Sequence, residues 1–416
     1  MTRFPAALLC FALVSAPALA EPLPGGSVDS LLAAARETSP DLRLARLEAE
    51  AAQERIGPAG ALPDPFLRVE LENITRNGTQ NATLSPSRVG DTKYLLAQPL
   101  PFWGKRDLKR EIAAAEADQA SGRASEAWSD LAARIKTLYA QYWLTHRALA
   151  LTQENIALSR QLEQLAQVRY AGGLAAQQDA IRAQVERSTL EAEAVGMAAE
   201  YRRLATALNA MLARPADAPL ATPEGLRPLP TRIDMQALGQ RLGASNPQLA
   251  IEQARLDGAE KNRALAYRNN FPDFIVGVQP MQVQDRGDAW NLMLELNLPL
   301  QQGTRRSQER EAERMAEAAA ARKEALGHRL GGELSGAVAD LDAARATEEI
   351  TRNRLLPQAE LTYRSALSGY ETGRVDFATL LDAQRQIRNA RIALLRAQAG
   401  QQQRLAEIER LLGEDL

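Results

Sequence analysis

Residue types that do covalent or metal chemistry are scarce in this chain. Its one cysteine is Cys10, inside an apolar run near the start, and its two histidines, His146 and His328, stand far apart on helical patterns. Such a set gives neither a thiolate nor a ligand cluster, and each histidine reads as a solvated or packed helix residue. No H-E-x-x-H, G-x-S-x-G or phosphate-cradling glycine loop is present, and the pairs Gly172-Gly173 and Gly331-Gly332 are isolated. The acidic residues from Glu309 to Glu317 alternate with arginines, as on a solvated helix face. We expect no enzyme, no cofactor and no resident metal ion. What remains is a recurring corner. Tyr170-Ala-Gly-Gly-Leu-Ala-Ala-Gln-Gln-Asp179 and Tyr370-Glu-Thr-Gly-Arg-Val-Asp376-Phe-Ala-Thr379 share Tyr and Gly in step, and each continues to an Ala-Gln pair, Ala183-Gln184 and Ala383-Gln384. Glycines at such corners supply the positive φ that ends a helix and reverses the chain. By residue type alone, Asp179, Asp376 and Asp382 are solvated helix-terminal charges, with Asp376 a candidate N-cap.

Long helices must carry these corners. Proline is absent between Pro101 and Pro215, and glycine is absent from Arg123 to Ala171. A helix from about Lys105 to about Tyr170 would be roughly 100 Å long, more than a compact soluble domain can bury. Leu131, Ile135, Leu138, Tyr142, Leu149 and Ile156 fall on a gapped seven-residue repeat, so the buried seam is narrow, as in a coiled coil. In the second half only Pro357 interrupts the run after Pro299, which is compatible with a kink in place of a helix end.

The corner is one of a series of repeats. Ser39-Pro-Asp-Leu matches Asn246-Pro-Gln-Leu, Pro65-Phe-Leu-Arg-Val matches Pro272-Asp-Phe-Ile-Val, and Pro99-Leu-Pro-Phe-Trp-Gly-Lys-Arg106 parallels Leu298-Pro-Leu-Gln-Gln-Gly-Thr-Arg305. Two halves share one plan, 21–245 and 246–416. Each has a helix, a strand pair (64–100 and 272–299) and a long helical hairpin, with tips near 172–174 and 372–376. Residues 1–20 read as a signal peptide. Arg3 gives the positive start, residues 6–14 the apolar core, and Ala18-Leu-Ala20 a cleavage site that leaves Glu21 first. That core is too short to span a bilayer, and Leu9 before Cys10 speaks against lipidation. Formal charge is −2 from 50 basic and 52 acidic residues, so no field attracts nucleic acid.

The short segments alternate. Trp290, Leu292, Leu294, Leu296 and Leu298 face one way and Asn291, Met293, Glu295 and Asn297 the other, while Leu67, Val69 and Leu71 oppose Arg68, Glu70 and Glu72. Alternation over about ten residues fits a transmembrane barrel strand, and equally a half-buried strand of a soluble sheet. Lys93–Leu100 has no cleanly apolar face. Four strands cannot close a barrel in lipid, where about eight is the minimum and open edges leave backbone groups unpaired. Strands that cross a membrane would therefore have to be pooled between copies of the chain.

The duplicated plan, over essentially the whole mature chain, resembles the TolC-like outer-membrane efflux proteins. Pro63-Asp-Pro65 and Pro99-Leu-Pro-Phe-Trp-Gly-Lys-Arg106 are most similar to the heavy-metal and cation branch, the CusC and CzcC relatives. The resemblance implies a mainly α fold with a small β part. Long antiparallel coiled-coil helices form a tunnel across the periplasm, and four strands per chain complete a twelve-stranded outer-membrane barrel in a homotrimer. It implies a passive exit duct of a tripartite pump, with a periplasmic adaptor protein, an inner-membrane transporter and outer-membrane lipid as partners. Its closed mouth would lie at the two corners, with Gly172, Gly173, Leu174, Thr372, Gly373 and Arg374 as the tips that an adaptor meets. Of the family's gate residues, Asp179 and Tyr370 occupy latch positions. The latch arginine is replaced by Val375, which leaves one hydrogen bond unless Arg374 or Arg182 substitutes. Asp382 matches one ring of carboxylates, Thr379 stands where the other would be, and Asp376 lies close enough to compensate. Two other classes remain: an outer-membrane component of type I protein secretion, and a non-channel periplasmic adaptor or coiled-coil protein. Two hairpins and two strand pairs argue against the adaptor, which carries one hairpin.

Overall fold

The computed structural model describes residues 23–75, 82–86, 88–283 and 287–416. The expected signal segment 1–20, its cleavage site and the tips of both strand loops lie outside them. The first half runs α1 (Val28–Thr38), α2 (Pro40–Glu54), α3 (Ile56–Ala59), β1 (Phe66–Glu72), β2 (Asp91–Leu100), α4 (Lys105–Ala171) and α5 (Gln177–Met211). The second runs α6 (Met235–Ser245), α7 (Pro247–Arg268), β3 (Asp273–Val283), β4 (Gly287–Asn297), α8 (Gln302–Ile350), α9 (Leu356–Glu371) and α10 (Phe377–Leu412).

The matching Ser39-Pro40 and Asn246-Pro247 pairs do the same work. Each polar residue caps a helix, Asn246 accepting from the Leu249 amide at 2.8 Å, and each proline occupies the first turn. There the missing N–H costs nothing, because first-turn amides have no helical partner. Asn246 also donates to the Leu411 carbonyl at 2.6 Å, which ties the start of α7 to the end of α10.

Helix α4 is unbroken over 67 residues, about 100 Å at 1.5 Å per residue. Alanines fill much of its buried seam, Ala113, Ala117, Ala120, Ala132, Ala133 and Ala140 among them, so neighbouring helices approach closely. The second rod, Gln302–Glu371, is slightly longer. Between α8 and α9 the chain makes a π-helical turn, Thr351–Leu355, and does not end. Pro357 cannot donate to residue 353 and its ring would strike that carbonyl, and a wider turn just before it relieves both.

Midway along the rods the shorter helices meet. Leu31 and Ala35 of α1 pack with Ile135, Tyr139 and Tyr142 of α4 and with Leu208 at the end of α5. The second half repeats this, with Leu238 and Leu242 of α6 against Leu334 and Leu341 of α8 and Leu411 of α10. Burial raises the Tyr139 hydroxyl to a pKa of about 12, and it lies 2.8 Å from the carbonyls of both Gly26 and Gly225. A buried ion-pair network stands within this belt. Glu409, 3% exposed, accepts from Lys136 Nζ at 2.7 Å, from Arg227 Nη2 at 2.8 Å and from the Leu416 amide at 3.2 Å. Lys136 also pairs with Asp415, which fastens the C-terminal tail to α4. Burial alone would raise the Asp415 carboxyl, but the Lys136 ammonium more than offsets that and holds it below its ordinary 3.8. A carboxylate depressed in the folded state stabilises above its unfolded pKa, and that contribution is lost as pH falls through the folded value. Melting curves should therefore show wild type losing its advantage over Asp415→Asn only below about pH 4.

The strands form one antiparallel sheet in chain order, β1-β2-β3-β4. The register aligns Leu67 with Leu96, Leu96 with Val278 and Val278 with Leu292, so one face is an apolar row, and Leu292 is 79% exposed on it. Strand β2, without a cleanly apolar face by sequence, is explained by its neighbour β3. Leu95 and Ala97 share the face opposite Leu96 and are buried close to Gly277. A Cβ on Gly277 would meet Leu95 Cδ1 at 2.8 Å and Ala97 Cβ at 2.9 Å. Gly277→Ala should overpack the sheet at this point at a cost of about 1–3 kcal/mol, read as a lower yield of assembled protein in detergent. Among the described residues the outer edges of β1 and β4 carry no strand partner. Among the described residues no helix is long and apolar enough to cross a membrane.

Candidate functional site at the paired helix corners

Both corners close in the same way. Gly173 has φ +71° and Gly373 φ +73°. In the first, the Leu174 amide donates to the Arg169 carbonyl at 2.8 Å and the Gly173 amide to Tyr170 at 3.0 Å. In the second, Arg374 donates to Gly369 at 2.8 Å and Gly373 to Tyr370 at 3.1 Å. These paired bonds satisfy carbonyls that a helix end leaves open, and only a residue at ease with positive φ completes them. Gly172, Gly173, Leu174, Thr372, Gly373 and Arg374 all lie exposed on the two tips. Leu174 is an apolar residue 71% exposed, and the Thr372 hydroxyl turns back to the Ser368 carbonyl at 3.0 Å.

The two corners lie side by side around a small core of Ala166, Ala180, Ala183, Tyr370, Phe377 and Leu380. The two tyrosines of the repeat part company here. Tyr370 is buried at 3% exposure, its ring edge-on to Phe377 at 5.4 Å, whereas Tyr170 is 47% exposed. The expected hydrogen bond between Asp179 and Tyr370 is not made within the chain. The Tyr370 hydroxyl is buried without a partner. Burial raises its pKa and the Asp179 charge adds to the shift, so the two interact at a distance only.

Arg169 makes the tie in place of Asp179. Its guanidinium lies 4.9 Å over the Tyr370 ring, and Nη1 donates to the Glu371 carbonyl at 2.8 Å. A cation there meets both the ring quadrupole and the negative end of α9. Further from the tips, ion pairs join α5 to α10. Arg385 holds Glu186 with Nε at 2.9 Å and Nη2 at 2.5 Å, and Arg388 reaches Glu193 at 3.2 Å. Gln384 Nε2 donates to Ser159 of α4 at 3.3 Å. Sequence reasoning passed over Arg169, Glu186 and Arg385. A signal existed for one of them: Ala183, Glu186 and Leu190 share one helical stripe, and a carboxylate on a buried stripe requires a cation opposite.

The acidic positions serve mixed ends. Asp376 caps α10, its Oδ1 accepting from the Thr379 amide at 2.9 Å; that contact and the nearby Arg182 charge keep its carboxyl below the usual range. Thr379 itself is exposed. Asp382 is 68% exposed and 3.7 Å from Arg385, one helical turn on, which offsets part of its charge. Among the described residues no cluster of three potential metal-ligating His, Cys, Asp or Glu side chains forms. Nothing at the corners joins a nucleophile to a base; the arrangement is a joint between two hairpins, lined with carboxylates.

A four-stranded sheet with an exposed apolar row, joined to helical rods about 100 Å long that end in paired corners, defines the fold class of the chain. The outer membrane efflux protein profile matches residues 31–214 and 238–414, and the chain belongs to that family. It is an efflux protein of the outer membrane. It is 23% identical over 406 residues to the cobalt-zinc-cadmium resistance protein CzcC of Cupriavidus metallidurans, covering 93% of this chain and 90% of the relative. Its fold matches the outer membrane protein VceC of Vibrio cholerae with a TM-score of 0.79 at 20% identity, over 93% of this chain and 96% of the other. CusC matches with a TM-score of 0.79 at 18% identity, over 94% and 93%.

Proposed function

We propose that three copies of this chain form the passive exit duct of a tripartite efflux pump. Each contributes four strands to a twelve-stranded barrel and two hairpins to a tunnel across the periplasm. The observation that carries this reading is the sheet. It presents an apolar outer row and two edges that have no strand partner among the described residues, and an open edge in lipid is costly, so a pooled barrel would satisfy its backbone. The halves 21–245 and 246–416 are two copies of one building plan, and export proceeds by removal of residues 1–20.

On this reading the corners are the periplasmic mouth. Arg169, Tyr370, Glu186 and Arg385 hold the hairpins together, with Asp179 contributing charge and Asp376 and Asp382 carboxylates near the constriction. The exposed tips, with Leu174 foremost, meet a periplasmic adaptor, which couples the duct to an inner-membrane transporter. Divalent metal cations are the proposed cargo, because the cobalt-zinc-cadmium resistance protein is similar along nearly the whole chain. The test is the native mass of the protein extracted in mild detergent from the outer-membrane fraction. Three chains per particle support the duct; a detergent-free monomer overturns it.

A further inference from the structure

The base of the sheet carries a groove of about 560 Å³ whose chemistry changes along its length. Its apolar part is made by Phe274 and Val276 of β3, Leu294 of β4 and Trp103, all continuous with the exposed apolar row. Trp103 is 74% exposed and stands edge-on to Phe274 at 5.6 Å, so it walls the groove without filling it. The other end lies on the first turns of α4, at Arg106 and Arg110. Arg110 pairs with Asp107 at 3.2 Å. Arg106 is half-buried, and among the described residues its partner is neutral, the Gly60 carbonyl, at 2.9 Å from Nε. Among the described residues that line it, the groove thus bears a positive charge without an acidic partner just where the apolar row ends.

We propose that this groove seats one anionic phospholipid of the periplasm-facing leaflet, with its acyl chain along Trp103, Val276 and Leu294 and its phosphodiester on Arg106. A negative phosphate matches the Arg106 guanidinium, which has no acidic partner among the described residues, and the step from apolar floor to guanidinium matches the step from acyl chain to headgroup. Tryptophan suits that boundary, with an apolar ring and a polar N–H. A guanidinium with one donor already spent still presents others to a phosphate. The inference rests on the apolar row facing lipid, which the outer-membrane family supports, and not on how many chains assemble.

The test is native mass spectrometry of delipidated protein titrated with phosphatidylglycerol or phosphatidylethanolamine, counting lipids per chain so that oligomeric state does not enter. Wild type should hold one phosphatidylglycerol per chain, in preference to phosphatidylethanolamine. Arg106→Gln keeps a donor for Gly60 and should weaken phosphatidylglycerol retention about five- to tenfold, the loss of one cation–phosphate contact near a membrane surface. Trp103→Ala should weaken both lipids alike, and the mass of the assembly checks that each variant folds. Equal retention by wild type and Arg106→Gln, or no retention because a neighbouring chain or detergent fills the groove, would overturn the proposal.

Discussion

Replacing Glu409 by alanine is expected to lower the stability of the folded chain by about 3–5 kcal/mol. Glu409 sits at 3% exposure between Lys136 at 2.7 Å and Arg227 at 2.8 Å, themselves 4% and 19% exposed. Removing the carboxylate leaves the buried Lys136 with Asp415 alone and Arg227 without its carboxylate, and the penalty comes from their desolvation more than from the lost attraction. The Leu416 amide loses its acceptor as well, so the tail loses its tie to α10 and keeps only the Lys136–Asp415 pair to α4. A thermal melt of the detergent-solubilised protein reads the loss. Glu409→Gln keeps an acceptor without the charge and should fall between the two. A melt unchanged in Glu409→Ala would mean that water or the tail re-solvates Lys136, and that the belt depends on its leucines alone.

The second large effect is expected at the corners. Arg169→Ala with Arg385→Ala removes the cation over Tyr370, the bond to Glu371 and both bonds to Glu186. Glu186 is 5% exposed and is left without its partner. Arg385 is half in solvent, so its ion pair is screened and worth less than a buried one. If the two ties together hold the mouth by about 1.4 kcal/mol per chain, their loss shifts the open-to-closed ratio about tenfold. Single-channel recording in a planar bilayer should show a higher mean conductance with the native mass unchanged. Asp179→Ala should have a smaller effect, because it makes no hydrogen bond to Tyr370 in the chain. Equal conductance in the double variant and wild type would remove these arginines from any gating role.

Much of the architecture was legible in the residues. The proline and glycine gaps sized the rods, the duplicated Ser/Asn-Pro caps and Tyr/Gly corners gave the two halves, and alternation marked β1 and β4. These signals are local: a cap, a positive φ or a two-residue period is set by neighbours in sequence. The strand β2 was harder, because Leu95 and Ala97 are buried by their close approach to Gly277 of β3, and that approach belongs to the sheet, not to any one strand. The site divided in the same way. The glycines of the corners and the capping role of Asp376 followed from residue type and position. That Tyr370 is buried while Tyr170 is exposed did not, nor did the ties through Arg169 and Arg385. Each depends on which helix of the other hairpin stands opposite, across about two hundred residues of chain. Sequence by itself therefore determined the rods, the corners and the repeat, because their causes are short-range. Only the tertiary structure decided which charges meet across the hairpins, because an ion pair is fixed by the packing that brings its partners together.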